Sequence, residues 1–232
     1  MILSYLLSLL LGAASFCSST FMARFEKRKS KFSSFAVGLA IVYVFLQLLP
    51  EAYQGISIYG ITIFVSTLIG FSIFHVSEKL ILKYEKKPKL RRDFGLLHLC
   101  VFFFYHATVG IALAELVETK FVAGILFAIS LSFIYLTTSA LFEDLHAQKG
   151  SHILSKRIFS AGTFLLGVIL ADVLSIDKIL LYPAFGFISG VLIYIVGKEV
   201  LPQYKASNPW YFTAGIILYT TIILLLNFYG LI

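Results

Sequence analysis

The sequence predicts an all-α polytopic membrane protein: one transmembrane domain over residues 1–232, built from eight spanning helices with both termini outside. Three observations carry that expectation. Of 232 residues, 59% are hydrophobic and only 13% are charged, too few to solvate a globular surface of this size, and mean hydropathy is +0.92. Chains of this composition use lipid as their solvent. The apolar residues fall into eight runs of roughly 20, the length a helix rising about 1.5 Å per residue needs to cross the hydrocarbon. Finally, 17 of the 19 lysines and arginines lie in odd-numbered connections between the runs, the asymmetry that orients helices with basic connections on the cytoplasmic side.

The expected spans are 2–23, 33–55, 57–80, 95–117, 120–143, 157–176, 179–200 and 209–230. No positive charge precedes the first apolar run, and Arg24, Lys27, Arg28, Lys29 and Lys31 follow it, which favours a helix entering from outside over a secretory signal. The second span holds Gln47, Pro50 and Glu51. After the third comes the longest basic connection, with Pro88 between Lys83 and Arg92, which reads as a solvated hinge. The fourth carries His98, His106 and Glu115, and the fifth ends in Glu143, Asp144 and His146, a charge cluster suited to the cytoplasmic border. Asp172 lies toward the outer end of the sixth, within reach of Lys178. In the seventh, Gly186 and Gly190 form a small-residue pair of the kind that lets helices pack closely. The eighth opens at Pro209.

The net charge of +7 and pI near 9.3 would suit a nucleic-acid partner, but the basic residues sit at membrane borders. They read as topology determinants that touch anionic lipid headgroups, and no nucleic acid is expected. Cys17 and Cys100 fall within spans, where their spacing implies neither a disulfide nor a thiolate metal site. No phosphate loop, nucleophile triad or Cys/His finger is present. An enzyme is therefore not expected, nor a resident cofactor.

Two stretches 152 residues apart share a layout: Gly38 leads to Gln47-Leu48-Leu49-Pro50-Glu51, and Gly190 to Glu199-Val200-Leu201-Pro202-Gln203. In each a glycine opens the apolar helix, and polar residues flank a proline. They occupy spans two and seven, which cross in opposite senses. An inverted repeat of helices 1–3 against 6–8 follows, and such repeats place a substrate path near mid-membrane. Pro50 is expected to free the carbonyl of Leu46, and Pro202 that of Lys198, since proline supplies no amide hydrogen; a helix simply ending at its proline is the plainer alternative. Ionisable groups inside a span cost at least about 2.5–3.5 kcal/mol, so each is a functional candidate until a partner is named. His106 is the main one, with Gly110 and Ala114 on its face of the helix directing it into the bundle. Buried packing and a ligand role both remain open for it.

Phe45-Leu46-Gln47-Leu48-Leu49-Pro50-Glu51-Ala52 and the run from Gly190 through Tyr194 and Glu199 to Pro202 resemble the ZIP family of divalent metal transporters. In that family segment two commonly reads F-L-H-L-L-P-E-A, and segment seven G-x-x-L-Y-x-x-x-x-E-x-L-P-E. The resemblance covers the whole chain in topology and is specific in these two helices. It implies a ZIP-like bundle that moves a divalent cation, with zinc a candidate substrate, by an alternating-access or elevator-like movement. The departures fall where the metal should bind. Aligned on Gly110, the family's H-N-x-x-D-G meets Tyr105, His106 and Val109, while Ile134-Tyr135-Leu136-Thr137-Thr138-Ser139 occupies the region of its H-E-x-P-H-E. Gln47 stands for the entrance histidine.

Candidate path residues are thus Gln47, Glu51, Tyr105, His106, Thr108, Thr137, Thr138 and Glu199, with His106 and Glu199 the weak candidates for metal ligands. Zinc wants about four nitrogen, sulfur or carboxylate ligands, so the alternative is a ZIP-fold membrane scaffold or binding protein that no longer transports. The expected surroundings are the lipid bilayer of a cell (inner) membrane, with a metal ion as substrate and a homodimer as a further option.

Overall fold

The computed structural model describes residues 2–24, 28–84, 86, 88–145, 152–174, 178–200 and 208–232. All regular structure among them is helical. Helix α1 covers Ile2–Arg24; α2 covers Lys29–Tyr43 and continues through a π-helical turn, Val44–Leu48, into α3, Leu49–Tyr53. The short α4, Ile56–Tyr59, leads to α5, Thr62–Lys83. Then come α6 (Pro88–Thr119), α7 (Phe121–Leu145), α8 (His152–Leu174), α9 (Lys178–Val200) and α10 (Pro209–Phe228).

Among the described residues, five segments are long and apolar enough to cross a membrane: Ser30–Tyr53, Thr62–Lys83, Asp93–Thr119, Ile179–Lys198 and Pro209–Phe228. Three shorter apolar helical segments, Ile2–Ser18, Phe121–Thr137 and Ala161–Leu174, coincide with the other runs expected from the sequence. The expected hinge before span four is largely helix. Pro88 is the first residue of α6, a position where its missing N–H would have no partner in the helix and its fixed φ suits the first turn. At the other end of α5, Gly60 adopts φ +56°, a conformation L side chains resist, and so turns the chain from α4 into α5.

Helix pairing is set by close backbone approaches. A methyl added at Gly190 would overlap the carbonyl oxygen of Thr67 and press on the amide of Phe71; one at Gly70 would overlap the carbonyl of Phe187 and press on the amide of Val191. The α2–α10 crossing repeats this arrangement residue for residue: Gly38 meets the Phe212 carbonyl and Ile216 amide, Gly215 the Phe35 carbonyl and Leu39 amide. Gly110 on α6 and Gly167 on α8 face each other in the same manner, against the carbonyls of Phe164 and Ala107. Lipid tails are as apolar as leucine, so helices in a bilayer gain by approaching closely enough for backbone contact. Gly38 and Gly190 therefore do not open their helices as the sequence suggested; they stand inside them, at crossings. Around these contacts α5 lies along α9, α2 along α10, α6 along α8, and α1 against α7 and α8.

The bundle interior is apolar and aromatic. Tyr43 stacks on Phe127 with centroids 5.6 Å apart and meets Tyr219 edge-on. The Tyr219 hydroxyl donates to the Leu126 carbonyl at 3.1 Å and lies against Ser130, joining α10 to α7. Large apolar side chains on α5 and α10, among them Leu68, Val76, Ile217 and Leu224, are exposed, as suits faces turned to hydrocarbon.

Candidate functional site

The sequence-derived candidates fall into separate environments. Gln47 lies in the π-helical turn just before Pro50. The turn has a local cause: proline lacks the amide hydrogen and its ring crowds the carbonyl four residues back, and widening the helix by one residue relieves the clash. The amide of Leu49 accordingly donates five residues back, to Val44. Gln47 is 9% exposed, and its Oε1 accepts no hydrogen bond among the described residues. A buried amide oxygen without a donor is costly, which makes this the position in α2 and α3 most disposed to receive a cation or a donor.

Glu51, about one turn further on, is committed elsewhere. Its carboxylate pairs with Lys120, in the connection between α6 and α7, and accepts from Gln54 Nε2 at 3.1 Å. Both partners are partly exposed, so the pair behaves as a border contact of low net energy.

His106 is 2% exposed and enclosed by rings. Phe164 stacks on it at 4.1 Å, Tyr135 and Phe102 stand edge-on at 5.3 and 5.4 Å, and Tyr105 is tilted at 5.4 Å. Tyr105 is itself fully buried and stands edge-on to Phe74 of α5. Each such pair adds about 0.5–1.5 kcal/mol beyond area burial, so the ring cluster is a tightly determined piece of packing joining α5, α6, α7 and α8. The face expected from the sequence is present: Gly110 and Ala114 are buried with His106.

The threonines turn to their own helices. Thr108 donates to the Phe104 carbonyl at 2.7 Å and Thr137 to that of Ile134 at 2.8 Å. The side chains of Thr138 and Glu199 lie outside the described residues, as do Pro202, Gln203 and the cluster Glu143, Asp144 and His146. Asp172 accepts from the Tyr5 hydroxyl at 2.7 Å and is exposed; the side chain of Lys178, the partner expected for it, lies outside the described residues. Among the described residues no three His, Cys, Asp or Glu side chains gather as a metal-ligand group.

Sequence reasoning missed one polar group altogether. Glu78 of α5 is 4% exposed; its Oε2 accepts from the Tyr194 hydroxyl at 2.9 Å and its Oε1 lies 2.6 Å from Lys198 Nζ, both on α9. One residue before it, Ser77 Oγ lies 2.8 Å from His98 Nδ1 of α6. A signal was available: Gly70, Phe74, Ser77, Glu78 and Ile81 are the buried stripe of α5, spaced at the helical period. By composition alone Glu78, next to Lys79, is indistinguishable from one more charge at a basic border.

No protein-family model matches the chain, and no curated protein matches it.

Proposed function

We propose that this chain is a ZIP-like membrane transporter of eight spans and two inverted halves, spans 1–3 (α1, α2 with α3, and α5) against spans 6–8 (α8, α9 and α10) with both termini outside, that carries a divalent cation, zinc first among the candidates. The observation that carries the reading is the repeated glycine crossing. The α2–α10 and α5–α9 contacts use corresponding atoms, with Gly38 matched to Gly190 and Gly70 to Gly215. Other pairings exchange in the same way: α1 against α7 corresponds to α8 against α6, and α2 against α7 to α9 against α6. Two halves that reuse one packing scheme are suited to alternating access, in which one moves against the other around a central path. The π-helical turn, whose Gln47 Oε1 accepts no hydrogen bond among the described residues and which packs against α9, is the favoured point of cation contact after α2.

A second reading is favoured by the ring cluster. Phe102, Tyr105, Tyr135 and Phe164 crowd the imidazole of His106, and a metal bound there would have to displace packed aromatic groups. A ZIP-fold scaffold or binding protein that does not transport has this property. Reconstitution into liposomes decides between them: uptake of Zn²⁺, Fe²⁺ or Mn²⁺ that falls in Gln47→Leu supports transport. Absence of flux for all three ions overturns it and leaves the scaffold.

A further inference from the structure

Glu78, Tyr194 and Lys198 form a buried polar group that the cation path described above does not use. Burying an ion pair seldom yields net stability, because desolvation of both charges offsets their attraction. Nor does the helix crossing require one. Glu78 lies eight residues beyond Gly70, and Tyr194 and Lys198 four and eight beyond Gly190. The same steps along the repeated crossing, from Gly215 and Gly38, reach Ile223, Val42 and Leu46, of which Ile223 and Val42 are buried. One crossing thus bears apolar side chains, two of them buried, at the positions where the other carries a carboxylate, a phenol and an ammonium.

The two charges are unequally held. The Glu78 side chain is 6% exposed and that of Lys198 28%. Lysine at a helix end can swing its ammonium to the aqueous border on a flexible stem; Glu78, two turns beyond Gly70 on a shorter side chain that is 6% exposed, has no such reach. Left alone in a medium of low polarity, an ionised carboxylate is far costlier than a neutral one. We propose that Glu78 is a proton-binding site that loads when Lys198 withdraws: the carboxylate takes one proton from the aqueous side, Lys198 keeps its own, and the buried group is neutral in both states. Among the described residues, the groups that bear on it are Tyr194 and Lys198 from α9; His75 of α5, edge-on to Tyr194 at 5.6 Å; and His98 of α6, through Ser77. The inference deepens the transport reading by naming the proton as its coupling ion, and rests on that reading only for the movement that separates α9 from Glu78.

The test needs no flux. Full-length Lys198→Met in micelles at neutral pH is expected to show the infrared carbonyl band of a protonated carboxylic acid, and Glu78→Gln/Lys198→Met is expected to lose it. Lys198→Met should also be stable in acid and lose stability as pH rises, because the folded state holds a proton that the unfolded state releases; the double variant should show no such dependence. A Lys198→Met that folds only in acid supports the site. Three results overturn it: a folded Lys198→Met without the band, a Lys198→Met that folds at no pH while the double variant folds, or a double variant that cannot fold, which would make the pair a structural requirement. A band present without ion flux in liposomes leaves the proton site standing and removes the transport reading alone.

Discussion

Gly190→Ala tests whether the repeated crossings hold the bundle together. The added methyl would meet the Thr67 carbonyl oxygen and, at 2.9 Å, the Phe71 amide nitrogen; both are backbone and cannot rotate away. Overfilling a packed contact costs about 1–3 kcal/mol, and a rigid obstacle argues for the upper end. Against that, α9 gains about 1 kcal/mol when alanine replaces a helical glycine. The expected net loss is about 2 kcal/mol. Gly197 of the same helix has nothing within 4 Å of an added Cβ, so Gly197→Ala should be neutral or stabilise by up to about 1 kcal/mol. The measurement is denaturation in mixed micelles followed by fluorescence of Trp210, the single tryptophan. Gly70→Ala combined with Gly190→Ala should cost less than their sum, since helices already parted accept the second methyl. Gly38→Ala with Gly190→Ala should add, because separate crossings do not share partners. If Gly190→Ala proves as stable as Gly197→Ala, close backbone approach is not what fixes the pairing.

Two tyrosines separate a charged from a neutral hydrogen bond: Tyr194→Phe removes a donor to the Glu78 carboxylate and should cost about 1.5–3 kcal/mol, and Tyr219→Phe about 1 kcal/mol, both by the same denaturation. A double-mutant cycle on Glu51→Gln and Lys120→Met should give a coupling below about 1 kcal/mol that shrinks further in high salt; a larger, salt-independent value would mean the pair is sealed from water. His106→Ala opens a void among four rings and should cost about 2–4 kcal/mol, whereas His106→Leu should cost less than about 1.5 kcal/mol. Equal losses in the two variants would show that imidazole polarity outweighs packing at this position.

Helix positions were legible because both controlling signals are local: apolar length sets a span, and basic residues mark its borders. Pro50 was legible as a disruption but not in its form. The sequence suggests a freed Leu46 carbonyl and does not announce the π-helical turn, in which the Leu49 amide bonds back to Val44. Whether a proline is met by such a turn depends on whether neighbouring helices permit the extra residue, and that is a property of packing. Glu78 was obscured differently. A glutamate beside a lysine near the end of an apolar run has the same composition whether it faces water or a partner helix, and only the stripe shared with Gly70 and Phe74 distinguishes the two.

The surroundings of His106 look like the least readable feature, since Tyr135 and Phe164 come from other helices, yet part of them follows from the glycines. Gly110 and Gly167 meet so that each lies under a carbonyl three residues before its opposite number, Phe164 for Gly110 and Ala107 for Gly167. Residues preceding the two glycines are therefore brought together, and His106, four before Gly110, stacks on Phe164, three before Gly167. The same counting at α5 and α9 brings Glu78 to Lys198, each eight residues beyond its glycine. Offsets that agree to within one residue on both sides of a crossing are what parallel helices produce. The pairing of glycines is thus the missing term in the sequence argument: once known, it converts positions along two separate helices into contacts, and it would have put Phe164 beside His106 and Lys198 beside Glu78 from the numbering alone.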